Sequence, residues 1–280
     1  MLRWLKEGLA WRWRVAMRLR YLRRMFLNGE ELARSYLNRT ACDRAICRDG
    51  TVIRHPTGRT GLAGMILEIW YDEVYTGRFY APAPGDVVID AGANIGLFSL
   101  LIARRQPACA VFAFEPFEEN FRVLTENLGA AGASGVRAFP FALAGKSGAA
   151  AMGDGGTRSQ DHQLVAAPVI DGANPDVRCY TLAEVLDLTG ADTVQLFKCD
   201  IEGSEQDLFS RATADVLRRC QRYAIEYHDK LRPGTLQLLM DRLGPTHVLD
   251  VRPAGEGGYG MLYAVAKAAE ECVAPDVGRR

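Results

Sequence analysis

Two short stretches put proton-moving side chains two positions apart: Asp200 and Glu202 in "KCDIEGSE", and Glu226 and His228 in "AIEYH". Each stretch ends a strand-like run, and residues two apart along a strand share a face. Carboxylates and an imidazole at neighbouring strand tips can serve as general bases toward a hydroxyl. For Asp200 and Glu202 the rival role is capping the following helix, and both roles can coexist. A neutral imidazole beside an acid accepts a proton near pH 7, so His228 is expected to be the base, Glu226 to orient it, and Asp200 to position the reactants. A divalent cation held by Asp200, Glu202 and Asp229 ranks second, because these residues form no recognised metal motif.

A second constellation lies in "DVVIDAGANIGLFSL", residues 86–100. Gly92 and Gly96, with Asn94 between them, let the backbone turn tightly where a strand passes into a helix, and the helix start offers unpaired amides. Taken alone the turn fits nicotinamide, flavin or sulfonium cofactors, or no ligand at all. Two acids narrow the choice. Asp90 precedes the turn, in the space a pyrophosphate would fill, where a carboxylate repels phosphate and suits a cationic, amine-bearing ligand. Glu115 ends the next strand, "VFAFEP", 25 positions later, where an acid accepts hydrogen bonds from ribose hydroxyls. The two together suit S-adenosylmethionine, with Asp90 near its amino-acid end and Glu115 on its ribose.

The elements that must carry these residues follow from periodicity. Strand-like runs at 86–90, 110–114, 136–142, 193–199 and 221–227 alternate with helical stretches at 95–105, 117–130, 203–218 and 234–243. Near-continuous apolar strands alternating with helices predict a parallel sheet covered on both faces. "THVLDV" and "GMLYAVA" have no helix between them and must pair antiparallel, so the sheet ends in a hairpin. Residues 62–80 read as one helix ending at Gly77, whose aromatics Trp70, Tyr71, Tyr75, Phe79 and Tyr80 suit a core, with one of them or Glu73 in reach of the site. Residues 144–178 show no period, and their His162 reads as a loop residue.

The N-terminal stretch to Leu37 reads as helix, with Gly8 and Gly29 its only breakers and no acid between Glu7 and Glu30. Arg12, Arg14, Arg18, Arg20, Arg23 and Arg24 alternate with Trp11, Trp13, Met17, Leu19, Leu22 and Phe26, the composition of a helix in peripheral contact with an anionic membrane. The arginines spread around the helix, which equally suits a solvated cap on the domain. Over the whole chain 34 basic and 34 acidic side chains cancel, so no global field points to nucleic acid. Seven irregularly spaced cysteines suggest reduced thiols rather than disulfides, and Cys42 and Cys47 lack a second pair for zinc. No apolar run is long enough to span a bilayer and no secretory signal is evident, so a cytoplasmic protein is expected.

Four ordered blocks, "VIDAGANIGLFSLLIA", "VFAFEPFEENFRVLTENL", "LFKCDIEGSEQDLF" and "AIEYH", resemble the FkbM-type S-adenosylmethionine-dependent methyltransferases, and "EIWYDEVYTGRF" resembles the helix before that family's core. The resemblance spans about residues 65–228. It implies an α/β class I methyltransferase (Rossmann-like) fold, a seven-stranded, mostly parallel sheet to which this chain adds an N-terminal helix. It also implies cofactor binding by Asp90, Gly92, Asn94, Gly96 and Glu115, and methyl transfer to a hydroxyl of a sugar, glycan or polyketide-like small molecule. Many relatives carry T-L-D before the fourth strand where this chain has Thr181, Leu182 and Ala183. The expected organisation is a basic lead-in at 1–60, the methyltransferase domain at 61–270 and a tail at 271–280. Two other functions compete: a nicotinamide oxidoreductase on a related sheet, and a non-catalytic membrane-associated adaptor.

Overall fold

The computed structural model describes residues 2–153, 163–165, 177–255 and 258–267. Helices α1 (Leu2–Met25) and α2 (Gly29–Asn38) come first, then an antiparallel pair, β1 (Arg44–Ile46) with β2 (Val52–Arg54). Gly29 starts α2 where the two helices meet: a Cβ there would lie 2.3 Å from the Leu22 carbonyl oxygen, so only glycine allows the approach. Leu22 and Phe26 are buried, and Phe26 stacks on Trp70 with ring centroids 6.0 Å apart. The C-terminal end of α1 is thus part of the core, while Trp11 and Trp13 are each 63% exposed.

The single helix expected over 62–80 does not form. Helix α3 (Leu62–Ile66) widens into a π-helical segment, Leu67–Tyr71, and Glu73 then adopts a left-handed backbone, φ 52°, which ends it. Wide turns of this kind recur at functional sites. Here the indole of Trp70 donates to the Leu97 carbonyl at 2.8 Å, which ties the segment to the core.

The sheet units follow as β3 (Val87–Ala91), α4 (Leu97–Arg105), β4 (Ala110–Phe114), α5 (Glu118–Ala130) and β5 (Val136–Phe139). Pro140, which has no N–H to donate, divides the expected 136–142 strand, and β6 (Phe141–Leu143) joins a separate sheet with β7 (Gly148–Gly153), β8 (Gln163–Val165) and β9 (Val177–Tyr180), in the order β6-β9-β7-β8. Most of the described residues of the aperiodic region are therefore strand. "GAAAMG" gave no alternation because its residues are nearly all small. His162 lies outside the described residues.

Helix α6 (Leu182–Thr189) opens on a capping box in which Thr181 and Glu184 satisfy each other's backbone amides. An acid at position 183 is therefore not needed to start this helix. Strand β10 (Leu196–Cys199) leads to α7 (Glu205–Ser210) and α8 (Ala214–Arg218), so the expected 203–218 helix is two pieces, the second begun by Thr213, whose Oγ1 accepts from the Val216 amide. The described chain closes with β11 (Arg222–His228), α9 (Thr235–Leu243), β12 (His247–Pro253) and β13 (Tyr259–Ala266).

The main sheet has seven strands in the order β12-β13-β11-β10-β3-β4-β5, and β13 runs antiparallel to both its neighbours as the hairpin reading requires. Successive residues face opposite layers. Val88 packs with Phe98 and Ile102 of α4, whereas Ile89 belongs to the cluster of Leu186, Leu208, Phe209, Leu239 and Leu243 from α6, α7 and α9. Strand order reverses between β3 and β10, which opens a crevice at their carboxyl ends.

Candidate active site

Strand β3 delivers the glycine turn to that crevice. Gly92 has φ 74°, and a Cβ on it would lie 1.7 Å from the Asp200 carbonyl oxygen. Asn94 (φ 50°) and Gly96 (φ 87°) complete the left-handed bends, and a Cβ on Gly96 would meet Leu124 at 2.5 Å. Glu115, at the tip of β4, is buried and accepts the Asn94 amide at 2.8 Å on one oxygen and the Phe117 amide at 2.9 Å on the other. Burial pushes its carboxyl up to about 7 against these two bonds.

Asp90 departs from its expected setting. It is fully buried below the turn, with one oxygen 3.1 Å from the Lys198 ammonium and the other accepting from the Ser99 hydroxyl at 2.7 Å. Its charge is balanced by Lys198, its register partner on β10, so it is not the open carboxylate invoked against phosphate. Burial alone would lower Lys198, but Asp90 and Asp200 overcome that and hold it protonated. Lys198 also donates to the Gly92 carbonyl at 2.6 Å and the Ala91 carbonyl at 3.2 Å. The Asp90–Lys198 pair therefore works from beneath, fixing the turn.

Across the crevice, β10 and β11 bring Asp200, Glu202, Glu226 and His228 together. Tyr75, one of the aromatics expected in the core or in reach of the site, donates its buried hydroxyl toward Asp200 Oδ2 and Glu226 Oε2, each 3.1 Å away. Asp200 Oδ1 is buried without a hydrogen-bond partner among the described residues. Burial first, then Asp200, raises both Glu202 and Glu226.

His228 is not oriented by Glu226. Its Nδ1 sits 3.0 Å from Glu205 Oε1 and its Nε2 3.5 Å from Glu202. Glu205 is fully buried and also accepts the Gly203 amide at 3.0 Å. Burial opposes the charge on His228, but the hydrogen bond to Glu205 and the fields of Glu205, Asp200 and Glu202 raise it to about 10. At neutral pH it is an imidazolium with no lone pair to offer. Nothing in the sequence singles out Glu205, and its burial beside His228 reveals the role.

The expected metal set also changes. Asp229 Oδ1 accepts the Leu236 amide at 2.8 Å, whereas Asp200, Glu226 and His228 each offer one ligand atom within 4.8 Å of the others.

One cleft joins the two halves, lined by Gly92, Asn94, Lys198, Asp200, Glu202 and Glu226, with Glu68 and Met65 from α3 and its π-helical extension at its edge. A glycine turn with no room for a side chain, the buried Glu115 at the tip of the second strand and an Asp200 oxygen without a hydrogen-bond partner among the described residues at the fourth are the groups that would meet a nucleoside cofactor and its reactive centre.

A family model described as "Methyltransferase FkbM domain" matches residues 90–243, over half of the chain. The chain belongs to this family of S-adenosylmethionine-dependent methyltransferases, which sets aside the nicotinamide reading. It is 28% identical over 191 residues to the 31-O-demethyl-FK506 methyltransferase FkbM of Streptomyces tacrolimicus, covering 57% of this chain and 74% of that protein. It is 30% identical over 198 residues to the AMB antimetabolite synthetase AmbE of Pseudomonas aeruginosa, covering 58% of this chain but only 9% of that one. Among solved structures, a precorrin-6y C5,15-methyltransferase of Geobacter metallireducens aligns with a TM-score of 0.38 at 14% identity, over 66% of this chain and 82% of its own. SMU.1697c of Streptococcus mutans in complex with SAH aligns at 0.41 and 12%, over 65% and 89%.

Proposed function

We propose that this methyltransferase is an O-methyltransferase acting on a hydroxyl of a sugar, glycan or polyketide-like small molecule. The observation that carries the reading is Asp200 Oδ1, buried at the cleft without a hydrogen-bond partner among the described residues while Tyr75 holds the other oxygen. An amine nucleophile can attack with its own lone pair, but an alcohol must lose a proton as it attacks, and an acceptor of this kind gains it. The FkbM relative is named for a 31-O-demethyl substrate, which supports the same choice.

Bound between the Gly92–Gly96 turn and Glu115, S-adenosylmethionine would supply an electrophilic methyl group, and Asp200 would take the proton that the acceptor hydroxyl must lose. Gly92, Asn94 and Gly96 allow close backbone approach, and Glu115 holds the ribose end. Tyr75 fixes Asp200 and Glu226 relative to each other, and the imidazolium of His228 offsets their crowded charge. The base role thus moves from His228 to Asp200.

The test is transfer of labelled methyl to a panel of hydroxylated sugars and macrolactones, with products read by mass spectrometry. Label found on oxygen supports the reading; label found only on amino nitrogen overturns it. The clustering of Asp200, Glu226 and His228 favours one second reading, a divalent cation acting as Lewis acid on the hydroxyl. Activity that falls with chelator and returns with magnesium would select it.

A further inference from the structure

A second cavity, of about 450 Å³, lies between the N-terminal helices and the π-helical segment, lined among others by Arg18, Tyr36, Arg39, Gly64, Glu68 and Asp72. It shares Met65 and Glu68 with the cofactor cleft. Its size suits a small organic ligand. Its lining residues lie outside 90–243, the part matched to the family model.

The charges in it are unevenly satisfied. Arg18 is committed: it donates to the Tyr36 hydroxyl at 3.0 Å and pairs with Asp72 at 2.5 Å. Arg39, exposed at the end of α2, has no ion-pair partner among the described residues. Glu68, half-buried where the two cavities meet, has no hydrogen bond to its carboxylate among the described residues. Burial, then Asp200 and Asp72, raise it to about 7, against the pull of Lys198 and Arg18. An acid in that state both accepts from and donates to a hydroxyl, whereas a free guanidinium pairs with an oxyanion.

We propose that this cavity is the acceptor site, that Glu68 hydrogen-bonds the acceptor's hydroxyl at the junction with the cofactor cleft, and that Arg39 binds an anionic group, phosphate or carboxylate, on the same acceptor. The inference rests on the methyltransferase reading of the adjoining cleft. It makes the N-terminal helices a selector of substrate rather than a passive cap.

Gly64 supplies the test. It lines the cavity from α3, and a Cβ built on it meets nothing within 4 Å, so a side chain can start there and Gly64→Trp is the variant chosen to fill the cavity. The full chain, loaded with S-adenosylhomocysteine, is titrated with glucose 6-phosphate, glucuronate and glucose, and binding is followed by saturation-transfer NMR. At least one of the two anionic sugars should bind about tenfold or more tightly than glucose, and which one does separates phosphate from carboxylate. Gly64→Trp and Arg39→Ala should each weaken that binding by about tenfold or more, Arg39→Lys should retain part of it, and S-adenosylhomocysteine affinity should stay unchanged in all three variants. Glucose binding as well as either anion, neither anion binding, or anion binding that survives Gly64→Trp overturns the inference. These are binding readouts, so they stand or fall apart from the methyl-transfer assay that tests the function.

Discussion

The two banks of the cleft are held together by opposite means. On the β3–β4 bank the two acids are held by the protein: Glu115 accepts two amides, and Asp90 accepts from Ser99 and forms an ion pair with Lys198. On the β10–β11 bank three carboxylates crowd an imidazolium, and one oxygen of Asp200 is left over. A bank that is satisfied before the ligand arrives is suited to binding, because nothing in it must reorganise. A bank with unmet electrostatic demand is suited to chemistry, since the reacting groups complete it. The difference predicts that the two banks fail separately when altered.

Asp200→Asn should show the largest effect. It removes the proposed proton acceptor and keeps the shape, so kcat should drop about 10²- to 10⁴-fold while S-adenosylhomocysteine affinity by calorimetry stays nearly unchanged. An equal loss in both would mean the banks are one unit. Glu115→Ala should do the converse, weakening S-adenosylhomocysteine binding by about 2–3 kcal/mol with kcat at saturating cofactor little altered.

The pH profile sharpens the contrast. Glu226 is raised to about 8 by burial and by Asp200 and Glu68, so activity should climb as pH passes through that region and the acid pair gains its full charge. His228 is raised from 6.5 to about 10, so activity should fall again as the cation is lost there. The same shift makes its contribution to stability complete below 6.5 and lost as pH rises through about 10. Glu205→Gln removes the hydrogen-bonded carboxylate and should move the falling limb to lower pH, read from kcat/KM against pH. A limb that stays in place would detach His228 from the profile.

The smallest effect belongs to the far end of α1. Replacing Trp11, Arg12, Trp13 and Arg14 with alanine should reduce co-sedimentation with phosphatidylserine vesicles, each arginine contributing about 1 kcal/mol at low salt, with turnover in solution unaffected. Deletion through Phe26 would be a poor test, because Leu22 and Phe26 are core. Sedimentation equal to wild type would leave this end a solvated cap.

Much of this was legible in the sequence where strands meet glycines. The turn at Gly92 to Gly96, the acid ending β4 and the closing hairpin depend on local pattern, and the structure places them as the pattern requires. What escaped depends on distance in the chain. Tyr75 reaches Asp200 and Glu226 across 125 and 151 positions, and no periodicity encodes that. Lys198 could have been paired with Asp90, since both sit in apolar strands where a lone charge is costly, but the register was needed to join them. Glu226 and His228 share a side as alternation demands, yet their hydrogen bonds go to Tyr75 and Glu205. Proximity in sequence gave the neighbourhood and not the partner.

The strand order carries one more consequence, for synthesis. Strand β13 lies between β11 and β12 yet leaves the ribosome after both. Until it emerges, β11 exposes a bare row of amides and carbonyls beside the Glu226 and His228 tip, and β12 has no sheet to join. An unpaired edge of buried-type residues invites pairing with other chains. A nascent chain stalled after Pro253 should therefore be the form that chaperones capture, and the hairpin's arrival should both seal the sheet and set the β10–β11 bank in place.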